Sequence, residues 1–183
     1  MSTDTFQLFF ALLAVVANAA VVTLVASRVL IAAAPDGAIA ASARNLLASV
    51  AAYDLPLAWL VALTSTLGSL YFSEIANFTP CALCWYQRIA MYPLAVVLGI
   101  AALRRDRAAR AYVWPLTAIG AAIALYHYLL EYFPDLETGA CDLGVSCGIV
   151  WFKEFGFVTL PYMALSGFVL IAVLLVPAPH QET

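Results

Sequence analysis

Four cysteines have the spacing that chemistry would need. Cys81 and Cys84 lie in the run Pro80-Cys81-Ala82-Leu83-Cys84-Trp85-Tyr86-Gln87-Arg88, and Cys141 and Cys147 are separated by five residues. A two-residue spacer lets two thiols close a small disulfide ring. Pro80 has no backbone donor to lose, so it suits a position just before or at a helix start. The free N–H groups of a first helical turn stabilise an anion. A thiolate held there has a lowered pKa, and the thiolate is the reactive form of cysteine. Arg88 follows Cys84 by one helical turn and would share its face, and its guanidinium stays charged at any working pH. Two roles are open for Arg88: a cation that holds a thiolate or the oxygen of an electron acceptor, or a side chain that snorkels to phospholipid headgroups. The second pair sits among Gly139, Gly144 and Gly148. It is either a mobile loop that carries a disulfide or a static bridge, and a bridge over so short a loop contributes little stability.

His127 lies near the end of a long apolar run. A lone histidine is more often structural, yet a titratable residue within a membrane span is a candidate site. The main alternative for the cysteines is a four-sulfur zinc site in a static binding module or scaffold. The five-residue spacer departs from the usual short ligand spacing of such sites, so no metal is assigned.

These residues need elements to position them. Of 183 residues, 65% are apolar and only 10% are charged, against about 45–50% and about 25% in an ordinary soluble domain. Lipid is therefore the expected solvent. Five stretches approach the roughly 20 apolar residues that a spanning helix needs: Phe6 to Ser27, Leu55 to Ser73, Trp85 to Leu103, Ala111 to Leu130 and Phe155 to Val176. They are too long and uniformly apolar for barrel strands, which alternate every second residue. The first is read as a retained span rather than a signal peptide, because Met1 to Asp4 carries no positive charge. Ala38 to Tyr53 is read as a helix along the cytoplasmic surface. Ile149 to Phe155 is expected to lie in the membrane interface. The tyrosines, tryptophans and phenylalanines at the span ends read mostly as interface anchors.

Basic residues set the orientation. Arg104, Arg105, Arg107 and Arg110 are four of the eight, and short loops rich in Lys and Arg face the cytoplasm. The loops at 73–80 and 131–154 then lie outside, with all four cysteines on the side where disulfides persist. The N-terminus is outside and the C-terminus inside. The net charge of −3 and the lack of a basic stripe with interleaved aromatics argue against a nucleic-acid partner.

The stretch Cys81 to Pro93, CALCWYQRIAMYP, resembles the first cysteine motif of the DsbB family of quinone-dependent disulfide oxidoreductases, closest to its BdbC-like subgroup. Tyr126-His127, the paired cysteines after Pro134, and Leu160-Pro161 are similar to that family too. The C-x-x-C precedes the looser pair, as in DsbB and unlike vitamin K epoxide reductase relatives. The resemblance covers about Leu55 to Val176. It implies an all-α integral membrane protein, a four-helix bundle, here with an additional N-terminal transmembrane helix. The organisation expected is 1–52 for that helix and its cytoplasmic connection, 53–177 for the catalytic core, and 178–183 for a cytoplasmic tail. The resemblance also implies roles. Cys84 would be the thiolate that meets a ubiquinone or menaquinone, with Cys81 as its disulfide partner, within reach of Cys147. Cys141 would take the attack of a reduced DsbA-like thioredoxin-fold oxidase. Arg88 and His127 would lie beside the quinone ring. The partners expected are that oxidase, the quinone and the lipid bilayer of a bacterial cytoplasmic membrane.

Overall fold

With no water in a hydrocarbon core, long uncharged stretches must satisfy their own backbone polar groups, and helices do so. The computed structural model of the chain describes residues 2–137, 139, 141 and 145–177. Asp142, Leu143, Gly144 and the expected tail 178–183 lie outside the described residues. Six α-helices occur among them: α1 (Thr3–Ala33), α2 (Ala38–Ala52), α3 (Asp54–Leu70), α4 (Ala82–Arg104), α5 (Arg110–Leu130) and α6 (Leu160–Leu174). A π-helical turn, Tyr71–Ile75, extends α3. The only β pairing among the described residues is an isolated bridge between Glu154 and Val158. The all-α expectation therefore holds.

Among the described residues, four helical stretches are long and apolar enough to cross a membrane: Thr3–Ala33, Asp54–Ile75, Ala82–Arg104 and Arg107–Leu130. The last expected span is shorter than its composition suggested. Phe155 and Gly156 take positive φ values of 52° and 80°, and the chain turns back through the Glu154–Val158 bridge. Helix α6 starts only at Leu160, with Pro161 in its first turn, where a missing N–H costs nothing. It has 15 residues.

Helices α3, α4, α5 and α6 form a closed ring, each packed on the next and α6 returning to α3. Phe168, Leu94, Leu98, Val113 and Ile171 fill its centre, all essentially inaccessible. Close approach depends on small residues, as membrane helix packing generally does. A Cβ on Gly120 of α5 would lie 2.3 Å from the Phe168 ring of α6.

Helix α1 is anchored to this ring. It packs along α6. Asn18 Nδ2 donates to Ser166 Oγ at 2.8 Å, and Arg28 Nη2 donates to the carbonyls of Val173 and Val176 at 3.2 Å each. At the other end Phe6 stacks on Tyr71 with centroids 4.0 Å apart, and the Phe10 ring covers Gly68 of α3. Helix α2 packs on α1. It matches the helix expected over Ala38 to Tyr53.

The arginine cluster lies at the opposite end of the bundle from the cysteines. There Asp54, buried at the start of α3, pairs with Arg110 and lies 4.0 Å from Arg107. At the cysteine end, Phe72, Phe78, Trp151 and Phe152 stack into a cap. The stretch from Ile149 is thus folded over the bundle end by aromatic packing. Phe72, expected as a lipid-facing anchor, is only 4% exposed.

Candidate redox site

Cys81 is the N-cap of α4. Its sulfur accepts the backbone N–H of Cys84 at 3.3 Å, so the first turn of the helix donates to sulfur, and Pro80 stands just before the cap. The Cys81 and Cys84 sulfurs are 2.8 Å apart and not bonded. Cys141 and Cys147 form a disulfide. Two of the four sulfurs are thereby committed to each other, and the described residues hold no four-sulfur zinc set.

The structure brings the two pairs together. Cys81, Cys141 and Cys147 are all buried and pack in one cluster with Leu83 and Leu130. His127, at the end of α5 and 4% exposed, joins the pairs. Its Nε2 lies 3.7 Å from the Cys81 sulfur and 3.1 Å from the Cys147 carbonyl oxygen. Both neighbours accept, so Nε2 carries a hydrogen. Its Nδ1 is 2.9 Å from the Gln87 amide nitrogen. A side-chain amide presents a donor or an acceptor after a half-turn, so Gln87 can match either charge state of the ring. The Cys81 thiol is held well below the ordinary thiol range, first by the hydrogen bond from Cys84 and then by His127.

Arg88 is 9% exposed and turns across to α3 instead of toward the surface. Its Nε donates to Ser69 Oγ and its Nη2 to the Ser69 carbonyl, both at 3.0 Å. Its guanidinium carbon is 5.1 Å from the Trp85 ring centroid. Cys84, Gln87, Arg88 and His127 line one end of a cavity of about 480 Å³. Cys84 is half-buried and opens onto this cavity, while Cys81 is covered on the side of the second pair.

The sequence did not single out three residues of this neighbourhood. Gln87 was quoted within the motif without a role, although it lies one turn from Cys84. Ser69 gave no signal, because its partner is 19 residues away in sequence. Glu131 did give one, being one turn beyond His127. It borders a small space shared with Cys81, His127 and Cys147. One of its carboxylate oxygens, Oε2, is buried without a partner, and burial pushes its pKa up.

Apolar spanning helices that bring a bonded and an open cysteine pair to one end define a membrane protein built for thiol–disulfide exchange. Comparison with known proteins gives the family. The family model described as "Disulfide bond formation protein DsbB" matches residues 55–178, and the chain belongs to the DsbB family. It is 49% identical over 116 residues to "Disulfide bond formation protein C" of Bacillus subtilis, covering 63% of this chain and 84% of that protein. It is 48% identical over 122 residues to "Probable disulfide formation protein C 1" of Bacillus anthracis, covering 66% and 88%. No solved structure matches the chain. The protein is a multi-pass membrane disulfide oxidoreductase with the DsbB-type four-helix bundle and an added N-terminal helix.

Proposed function

We propose that the chain reoxidises a reduced DsbA-like thioredoxin-fold thiol oxidase on the extracytoplasmic side of a bacterial cytoplasmic membrane, and passes the two electrons to a membrane quinone, ubiquinone or menaquinone. The observation that carries this reading is that the pair at the start of α4 borders two neighbourhoods, with Cys84 in both. Cys81 faces the Cys141–Cys147 disulfide, and Cys84 faces an apolar cavity that also receives Arg88 and His127. One pair can therefore take electrons from a protein and deliver them to a lipid-soluble acceptor.

Each exchange proceeds through a mixed disulfide. A partner thiolate attacks Cys141, and Cys147 leaves as a thiolate. Cys147 attacks Cys81 of the closed Cys81–Cys84 disulfide, and Cys84 leaves as a thiolate facing the cavity. The partner's second thiolate then breaks the bond to Cys141, which leaves as a thiolate and the partner departs oxidised. The Cys141 thiolate recloses the bond to Cys147 and frees Cys81. The net change moves two electrons from the partner's dithiol to Cys81 and Cys84.

The cavity fits a quinone: a mostly apolar lining with a cation, an imidazole and an amide grouped at one end. A bound quinone supplies a two-electron, two-proton sink. The residues of this chain supply the rest. Arg88 offers positive charge where electron density grows. His127, held by Gln87 and by the Cys147 carbonyl, keeps an N–H on the Cys81 sulfur. The thiolate charge of Cys81 and Cys84 is shared through their contact at 2.8 Å, and their bond re-forms as the electrons leave.

The test is dithiol-driven quinone reduction by purified protein, followed by quinone absorbance. Cys84→Ser should abolish it, and retained turnover overturns the assignment. A second reading, a static site for a thiophilic cation, rests on Cys81, Cys84 and His127, whose ligand atoms all lie within 4.8 Å of one another. Stoichiometric zinc on purified protein, with a thiol count unchanged by quinone, would favour it.

A further inference from the structure

Helix α1 lies outside the family match, which begins at residue 55, yet it borders the cavity just described. The residues it contributes run from Phe9 to Ala20. At 1.5 Å per residue this is about 16 Å of helix, measured away from the cysteine end. Across the cavity, α3 contributes Leu60 and Val61 and α6 contributes Leu170. The polar groups Cys84, Gln87, Arg88 and His127 are grouped at the other end, with Arg88 and His127 more than nine-tenths buried.

Two features keep the deep half open. Helix α1 is held on α6 by Asn18 and Arg28 and reaches α3 near the cysteine end through the Phe10 ring on Gly68. Beyond Phe10 it lines the cavity with Leu13 and Val16 and with Ala14, Ala17 and Ala20; the three alanines stop at Cβ, and from Ala17 to Ala20 they are all that α1 contributes. A cavity that is polar at one end and apolar for several helical turns suits a ligand with a compact polar head and a long hydrocarbon chain. The head must reach Cys84, and the same continuous space must hold the chain.

We propose that α1 is the wall of a tail-binding channel, and that the isoprenoid chain of the quinone lies between α1, α3 and α6 while its ring stands at Cys84 and Arg88. This rests on the quinone reading above and extends it: the added helix makes the site selective for long-chain quinones. Without α1 this side of the channel would be open to lipid.

The experiment compares two acceptors on full-length protein in lipid nanodiscs: octaprenyl ubiquinone and its tailless benzoquinone analogue. Ala17→Phe and, separately, Ala20→Leu add bulk to the channel wall and leave the residues around Cys84 in place. Each should lower the ratio of kcat/KM for the octaprenyl form over the tailless form about tenfold, equivalent to about 1.4 kcal/mol and in the range that overfilling a packed space costs. Turnover of the tailless acceptor reports that a variant has folded, and Ala20→Leu carries the comparison if Ala17→Phe does not. An unchanged ratio in a folded variant overturns the proposal. So does loss of a co-purified phospholipid at constant ratio, read by native mass spectrometry, because the channel would then hold an acyl chain. Wild-type protein inert toward both acceptors, and toward a menaquinone and its tailless naphthoquinone analogue, overturns the quinone reading itself, and the channel assignment with it.

Discussion

Replacing His127 by Phe should raise the pKa of Cys81 by about one unit. In the folded chain the Cys81 sulfur receives three contacts: the Cys84 sulfur at 2.8 Å, the Cys84 backbone N–H at 3.3 Å and His127 Nε2 at 3.7 Å. A hydrogen bond to a charged group contributes about 1.5–3 kcal/mol. The His127 contact is the longest of the three, so the lower figure applies. At about 1.36 kcal/mol per pKa unit, that is roughly one unit. Cys84 is the nearer donor and the larger cause of the depression, so Cys84→Ala should shift Cys81 further, by about two units on the upper figure. The assay is the pH dependence of iodoacetamide alkylation, resolved on the Cys81 peptide by mass spectrometry. Cys141 and Cys147 stay oxidised throughout. His127→Phe also leaves the Gln87 amide without its partner, at a cost of about 1–3 kcal/mol of stability, but the titration midpoint is read on the folded fraction. A Cys81 midpoint that stays put or falls in His127→Phe, or that moves more there than in Cys84→Ala, refutes the reasoning.

Two further outcomes follow from packing and burial. Glu131 has its pKa raised by burial, so the fold binds that proton more tightly than the unfolded chain does. The stability this contributes is fully present below the ordinary carboxylate pKa and is lost as pH rises through the elevated one. Glu131→Gln should therefore raise the midpoint of thermal unfolding more at about pH 8 than at about pH 5, and an equal gain at both would mean the carboxyl is not strained by burial. Gly120→Ala places a methyl 2.3 Å from the Phe168 ring, in a site where Phe168 is wholly inaccessible. It should destabilise the bundle by about 1–3 kcal/mol in detergent unfolding, with Phe168→Leu restoring part of the loss; a variant as stable as its parent contradicts the packing.

The start of the redox helix was legible because its determinants are local. Pro80, the Cys81 cap and the one-turn offset to Arg88 all lie within nine residues, and a helix start is decided over that distance. The partners of those residues were not legible. Arg88 meets Ser69 of a preceding helix, and Gln87 meets His127 of a following one. Such pairs depend on how helices rotate about their axes, which uniform apolar composition hardly encodes. The same uniformity hid the beginning of α6. Phe155 to Thr159 is nearly as apolar as the helix that follows, and what stops the helix there is the pair of positive φ values at Phe155 and Gly156. The aromatic residues misled in a related way. Phe72 and Tyr71 are neighbours at a span end, yet one is buried in the aromatic cap and the other stacks on Phe6.

The strap between α1 and α6 joins two helices that are synthesised far apart in time. Arg28 reaches carbonyls at the far end of α6, across 145 and 148 positions of chain. Until α6 is inserted, that guanidinium and the Asn18 amide have no interhelical partner in place. The α1–α6 strap thus closes only when α6 is in place, and a chain halted after α5 would keep α1 on α2 and on Tyr71 and Gly68 alone.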